Sequence, residues 1–434
     1  METPLFFGFP LQFAPVSGSN RNDALHSLQR ISPPVSLREA VAVFLLLLTA
    51  ASGAYGLFSL YCVLAFFSGR GRRPATGERS ATEERSEGLP YIPVSVLKPL
   101  KGTDHGLKEN LQSFCRQEYG EYEVVLGCLD PADPAVRTAE EIAAGERGCS
   151  VRTVAGGRSL GANGKVSNLQ GLVEAARYPY LAISDSDMRV NGDYLRTVAD
   201  EYRQEGAGLV TSLYVIPSPV TVGAALESLT IALDFLPSVL VARKTEGVTF
   251  GLGASLFLSK KALEEIGGLP SLADYLADDY QIGNRLWKKG YPVVLSRYVM
   301  EDVAGEMSVR GHLTHQIRWA RTYRACRRWG FAGYGITHSL PLALLFLAAE
   351  GITPLSGALL ASVFALRSAL ALAVYARVIR NRAWLRWLLL LPLKDVTSFL
   401  VWLWSFSGAT VSWRGRRYRI MKGGKIRREG MKEA

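Results

Sequence analysis

Tyr180-Leu181-Ala182-Ile183-Ser184-Asp185-Ser186-Asp187 decides the reading of this chain. The apolar run predicts a strand that stops at two carboxylates one residue apart. In an extended chain, residues i and i+2 project to the same side. Asp185 and Asp187 can therefore converge on one cation, and their hard oxygens suit Mg²⁺ or Mn²⁺. Such an ion commonly keeps positions open for phosphate oxygens, which fits a nucleotide diphosphate. Asp-x-Asp is frequent by chance in loops, so the weight falls on what surrounds it.

Upstream, short apolar runs alternate with helical spacing. Val94 to Leu97 predicts a strand, followed by a helix near Gly106 to Cys115. Glu123 to Leu129 predicts a second strand, ending at Asp130-Pro131-Ala132-Asp133-Pro134, with a helix near Ala135 to Ala144. Val151 to Val154 is a third strand. Lys165 to Ala176 carries helical spacing through Val166, Leu169, Leu172 and Val173, and Leu181 to Ser184 is the fourth strand. Strands separated by helices imply an α/β fold with a mainly parallel sheet. Such sheets bind ligands at the carboxyl ends of their strands, where Asp130 and the Asp185/Asp187 pair both fall.

The composition of the 434 residues is divided by position. Residues 41–67 are apolar without a charge, long enough to span a bilayer and too long and too late for a secretory signal peptide. Residues 331–350 and 352–378 predict a hairpin of two transmembrane helices, separated at Gly351-Ile352-Thr353-Pro354. Residues 384–413 form a third apolar zone broken by Pro392 and Lys394-Asp395, either a tilted span or a re-entrant or interfacial segment. Residues 1–36 read as a mobile extension, 68–88 as a charged Gly/Ser-rich linker, 89–330 as a soluble α/β domain, and 414–434 as a basic tail. The net charge of +11 clusters beside the apolar zones, as expected of cytoplasmic flanks. It offers no aromatic–basic platform for nucleic acid. Five scattered cysteines without Cys-x-x-Cys fit neither a zinc site nor a disulfide framework, and predict reduced thiols in a cytosolic domain.

Four further sites carry candidate chemistry. Asp130 follows the second strand, where a carboxylate can accept from a nucleoside or simply cap a turn. Gly156 to Lys165 is glycine-rich and opens a helix. It fails the Walker pattern because Ser159 stands for the first glycine and Val166 for Ser or Thr, but Lys165 remains a candidate diphosphate contact. Asp278-Asp279 opens a helix, as N-terminal acids often do. His315-Gln316-Ile317-Arg318-Trp319 precedes the apolar hairpin. There Arg318 can neutralise phosphate and Trp319 can stack, or the pair can anchor at an interface.

The ordered set Asp130, Asp185-x-Asp187, Asp278-Asp279 and Arg318-Trp319 resembles a family-2-type GT-A glycosyltransferase. Within that group the chain is similar to ceramide glucosyltransferases and to bacterial glycosyltransferases associated with hopanoid biosynthesis. The cues are Lys98-Pro99-Leu100-Lys101-Gly102, Asp130 to Ala135, Gly161 to Leu169, Asp234 to Arg243, and Trp413-Arg414-Gly415. The resemblance covers about Val41 to Arg419. The resemblance implies a cytosolic GT-A (nucleotide-diphospho-sugar transferase) catalytic domain over 89–330, flanked by transmembrane helices in a bacterial inner membrane. It implies inverting transfer of one sugar, glucose or N-acetylglucosamine, from a UDP-sugar to a lipid hydroxyl of ceramide, a hopanoid polyol or diacylglycerol. It gives Asp130, Asp185, Arg318 and Trp319 to the donor, beside the candidate diphosphate contact Lys165; it gives Asp185 and Asp187 to Mg²⁺ or Mn²⁺, and the catalytic base to Asp279. Asp278, His315 and Gln316 fall to the acceptor or to supporting positions. The first place of the (Gln/Arg)-x-x-Arg-Trp motif holds His315 here, with Gln316 one place late. A processive polysaccharide synthase shares these motifs but needs a longer membrane channel. A catalytically silent sugar-nucleotide binder is the reading from another class.

Overall fold

The structure is a computed structural model that describes residues 36–68, 91–379 and 382–430, without the side chains of 382 and 383. The amino extension, apart from its last residue, and the linker expected at 68–88, apart from Ser68, lie outside the described residues.

Eight strands form one sheet: β1 (Val94–Leu100), β2 (Tyr122–Cys128), β3 (Ser150–Ala155), β4 (Tyr180–Ile183), β5 (Met188–Arg189), β6 (Leu209–Val215), β7 (Leu256–Ser259) and β8 (Val293–Asp302). Their order is β3-β2-β1-β4-β7-β6-β8-β5. Pairing is parallel from β3 to β4 and between β6 and β8, and antiparallel where β7 and β5 join. The mainly parallel sheet expected from the βα rhythm is present. β1 and β2 are buried along their whole length, because helices cover both faces, and such strands read as continuous apolar runs. Val94, Val96 and Leu100 enter the core on one face while Leu97 enters the other, the alternation of a pleated strand. β4 ends at Ile183, so Asp185 and Asp187 emerge at the sheet's carboxyl edge.

Among the described residues four helices are long and apolar enough to cross a membrane: Leu37–Ser68, Val222–Thr245, Pro354–Val378 and Trp384–Trp404. The first, third and fourth bury only 17–28% of their apolar windows, whereas Val222–Thr245 buries 83%. That helix was not expected as a span. It packs Leu229, Leu233 and Leu240 into a core with Leu213 and Val215 of β6 and with Val63, Leu370 and Tyr375 of the apolar helices. The sheet and the apolar bundle therefore share one hydrophobic cluster.

The stretch expected as a helix over 331–350 is not a single rod. Arg328–Thr337 and Ser339–Glu350 meet at 63°. Pro341 lies in the first turn of the second piece, where its missing N–H leaves no intrahelical bond unmade. In the third apolar zone Pro392 begins the helix Leu391–Trp404, and the chain leaves it before Thr410.

Pro237 has a larger effect. A proline cannot donate to the carbonyl four residues back, here that of Leu233. The turn Ile231–Phe235 widens to π spacing, and the Leu233 carbonyl accepts from Arg367 Nη1 at 3.2 Å instead. Arg367 also donates to Asp234 Oδ1 at 3.0 Å and, through Nε, to Asp395 Oδ2 at 2.9 Å. Lys394 Nζ bonds Asp234 Oδ2 at 2.5 Å and Asp395 Oδ1 at 3.0 Å. All four side chains are buried. Two cations and two carboxylates thus tie the π turn to two apolar helices.

The basic stretch expected as a tail folds as far as residue 430. β9 (Thr410–Trp413), β10 (Arg416–Ile420) and β11 (Ile426–Arg428) make a three-stranded antiparallel sheet. It rests on the segment before Asp278, with Ile426 N donating to Asp274 O at 2.6 Å and Leu276 N to Gly424 O at 3.2 Å. Val411, Tyr418, Ile420 and Ile426 bury against Leu276. Alternate residues of this basic stretch are apolar, and that period pays for its folding.

Candidate active site

A cavity of about 1210 Å³ opens at the carboxyl edge of β1, β2 and β4. Asp130, Lys165, Asp185, Asp187, Asp278, Asp279, His315, Gln316, Arg318 and Trp319 all line it. The structure therefore gathers every residue that the sequence singled out, across nearly two hundred positions.

Asn163 is the local organiser. It caps the helix Gly164–Ala175, accepting from Lys165 N at 2.9 Å and Val166 N at 3.2 Å. Its Nδ2 donates to Tyr275 O at 2.7 Å and to Asp278 Oδ1 at 3.3 Å. One buried amide thus holds the glycine-rich loop against the Asp278-Asp279 turn. Asn163→Ala should cost about 0.5–2 kcal/mol for the lost cap, together with weakened donor binding. Thermal unfolding and donor titration of the same preparation check both, and unaltered values in both would remove Asn163 from this role.

Lys165 Nζ stands 2.6 Å from Asp185 Oδ1 and 3.8 Å from Asp278 Oδ2. Burial alone would lower its pKa, but Asp185, Asp278 and Asp279 outweigh burial and raise it. It stays an ammonium. Lys98, fully buried on β1, donates to Ser184 Oγ at 3.2 Å and to the Asp185 carbonyl. Burial draws it down to about 7, against the pull of Asp187 and Asp185. Burial pushes Asp187 up to about 6, helped by Asp185 and Asp104. Asp187 Oδ1 is buried without a hydrogen-bond partner. Ser186, between the two acids, donates to Asp104 Oδ2 at 2.6 Å.

Asp279 begins the helix Asp278–Lys288, and its Oδ1 accepts from Tyr280 N at 2.8 Å. Burial, then Asp278, push its carboxyl up to about 6. Gly253 explains how it meets the other acids. A Cβ on Gly253 would lie 3.1 Å from Asp279 Oδ2 and 3.2 Å from Asp185 Oδ2. The bare backbone there leaves one space that both carboxylates face.

Glu227, also in the cavity lining, is buried and gathers the helix Val309–Cys326. It accepts from Gln316 Nε2 at 3.0 Å and pairs with His312 Nδ1 at 2.6 Å and His315 Nδ1 at 2.7 Å. His315 and Gln316 thus face a carboxylate of the wall, with Arg318 beside them. Trp319 packs its ring on His315, Phe235 and Tyr214, at centroid distances of 4.6, 5.8 and 6.4 Å. Asp130 is exposed, and its Oδ1 accepts from Ala132 N at 2.9 Å in the turn. The sequence missed Lys98, Asp104, Asn163, Glu227, Gly253 and Asp302 as site residues. Asp302, at the end of β8, lines the same cavity and is pushed well up by burial and by Asp187 and Glu227. A lysine inside the apolar run Val94–Leu100, and an acid inside the apolar run 222–245, were the available signals for two of them.

Among the described residues no three His, Cys, Asp or Glu side chains close on one point. The donor set that remains, Asp185 with the unpartnered Asp187 Oδ1, fits an oxygen-seeking divalent ion that completes its shell with phosphate and water.

In comparisons with known proteins, the chain is 27% identical over 229 residues to ceramide glucosyltransferase 3 of Caenorhabditis elegans, covering 52% of this chain and 50% of that protein. It is 28% identical over 234 residues to ceramide glucosyltransferase 1 of the same organism, covering 54% and 50%. The match thus spans about half the length of each of these curated relatives. Among solved structures, a mannosyltransferase from Pyrobaculum calidifontis in complex with GDP-Man and Mn²⁺ aligns with 86% of this chain and all of its own, at 18% identity and a TM-score of 0.49. The glycosyl transferase family 21 model matches residues 44–426, nearly the whole chain, and the chain belongs to that family.

Proposed function

We propose that this protein is an inverting membrane glycosyltransferase that moves one hexose, glucose or N-acetylglucosamine, from a UDP-sugar to a lipid hydroxyl. The catalytic domain faces the cytoplasm of a bacterial inner membrane in this reading, and ceramide, a hopanoid polyol or diacylglycerol is the acceptor. One observation carries it. One cavity is lined both by Asp185, Asp187 and Asp279 and by Phe331, Tyr334, Val401 and Trp402 of the apolar helices. A polar donor and a lipid can meet only in such a two-natured space.

The residues divide the work by chemistry. Asp130 takes the nucleoside at the mouth of the cavity. Asp185 and Asp187 would hold Mg²⁺ or Mn²⁺, whose charge offsets that of the leaving diphosphate. Lys165 and Arg318 add fixed positive charge on the same group, and Trp319 shapes the wall beside them. Asp279 takes the proton of the acceptor hydroxyl as it attacks the anomeric carbon. Asp278, held by Asn163, keeps Lys165 and the helix start in register, while His315 and Gln316 fix the acceptor wall through Glu227.

Purified protein given radiolabelled UDP-glucose or UDP-N-acetylglucosamine and a panel of the three lipids should form a single organic-soluble, monoglycosylated product, and EDTA should abolish it. Label in a water-soluble polymer would instead place the chain among processive synthases. Donor binding without turnover on any lipid would make it a silent binder.

A further inference from the structure

β9 and β10 are joined by the two residues Arg414 and Gly415, since Trp413 pairs directly with Arg416. Both loop residues have positive φ, 48° and 75°. A two-residue hairpin of this kind demands that conformation and favours Asn, Asp or Gly at its first position. Arginine has no short polar side chain to compensate locally. Among the described residues Arg414 is the one non-glycine residue at positive φ. Strain retained at such a place points to what the side chain does.

The side chain reaches into the cavity. Arg414 Nη1 lies 3.1 Å from the Lys101 carbonyl and 3.2 Å from Asp104 Oδ1. Asp104 is the residue that Ser186 bonds, between the two aspartates. Both contacts use one nitrogen, whereas a guanidinium carries five N–H donors. Arg416 and Lys101 line the same cavity. The Lys101 ammonium is lowered by burial and then by Arg416 and Arg414, so these cations crowd one another. The segment that leads into β9 is tied to the helix Val309–Cys326. Arg324 of the helix that carries Arg318 donates to Phe406 O and Gly408 O at 2.6 Å each, and Arg321 donates to Ser407 O at 2.9 Å.

We infer that Arg414, with Lys101 and Arg416 beside it, is a diphosphate clamp that the carboxyl-terminal sheet contributes to the donor site. Crowded cations at the rim of an acidic pocket are matched by a diphosphate anion lying between them and the Asp185/Asp187 edge. The guanidinium fork suits paired phosphate oxygens. This inference rests on the nucleotide-diphosphate reading of the cavity and extends it to a segment outside the α/β domain.

Calorimetry on the full-length protein in detergent tests it, with UDP, UMP and inorganic pyrophosphate as probes. Arg414→Gly removes the side chain and relieves the backbone, so its unfolding temperature should equal or exceed that of the unaltered protein. Its affinity for UDP and pyrophosphate should fall ~10-fold to ~100-fold, the range for a lost charge-assisted hydrogen bond, with UMP less affected. Arg414→Lys should recover part of the loss. UDP bound as tightly by Arg414→Gly as by the unaltered protein overturns the clamp alone. Equal losses for all probes with a lowered unfolding temperature also overturn it, in favour of a structural role. An unaltered protein that binds neither UDP nor pyrophosphate overturns the clamp and the donor reading together.

Discussion

Replacing Asp279 by asparagine should cut sugar transfer by at least ~10²-fold, the lower bound for a lost general base, while donor affinity stays near that of the unaltered enzyme. Asparagine keeps the hydrogen bond from Tyr280 N, which needs only an acceptor. It cannot take a proton. The carboxyl pKa of about 6, set by burial and by Asp278, fixes the sign of the pH dependence. Below pH 6 the base is protonated and idle, and above it the base is free, so the turnover rate should climb through pH 6 and level off. Asp279→Asn should lose this limb. Donor affinity, followed separately by calorimetry, isolates any contribution of Asp187. Gly253→Ala should give a similar loss with both acids intact, because the new methyl group would fill the space between them. Full activity in Asp279→Asn with none in Asp302→Asn would move the base to the end of β8.

Arg367→Met should destabilise the protein by about 3–5 kcal/mol, the usual cost of breaking a buried ion pair from one side. Asp234 and Asp395 would then share the single ammonium of Lys394, at 2.5 and 3.0 Å. The Leu233 carbonyl, which Pro237 cannot serve, would lose its substitute donor. Thermal unfolding in detergent micelles reads the effect. The double variant Arg367→Met, Asp395→Leu removes one charge of each sign and should recover part of the loss, as interacting neighbours do not add. Unfolding of the single variant at the unaltered temperature would show that the quartet contributes little.

The first half of the sheet was legible because β1, β2 and β4 are short apolar runs bounded by turns, and β2 and β4 are each followed two residues later by an aspartate. The second half was not. β7 enters antiparallel between β4 and β6, a pairing set by contacts far apart in the chain. Residues 222–245 show that apolar length does not distinguish a helix facing lipid from one buried in protein. Of their two acids, Glu227 finds its partners His312 and His315 some 85 and 88 positions away, and Asp234 finds Arg367 and Lys394. In the carboxyl-terminal stretch charge obscured periodicity. Arg417 to Ile420 alternates outward arginines with buried Tyr418 and Ile420, a strand pattern hidden by its basic composition. Of the site, the titratable residues stood out by type and order. Asn163 and Gly253 act through shape and backbone, which a single sequence does not display.

The hydrophobic cluster that Val222–Thr245 shares with the sheet and the apolar bundle makes the surrounding amphiphile a thermodynamic partner of the native chain. Lipid or detergent that wets the exposed faces of Leu37–Ser68 and Pro354–Val378 favours the folded form over the unfolded one. By mass action it should then raise the apparent stability of the active centre itself. Melting curves of this protein should consequently shift with amphiphile chemistry and concentration, and catalytic lifetime should shift in parallel.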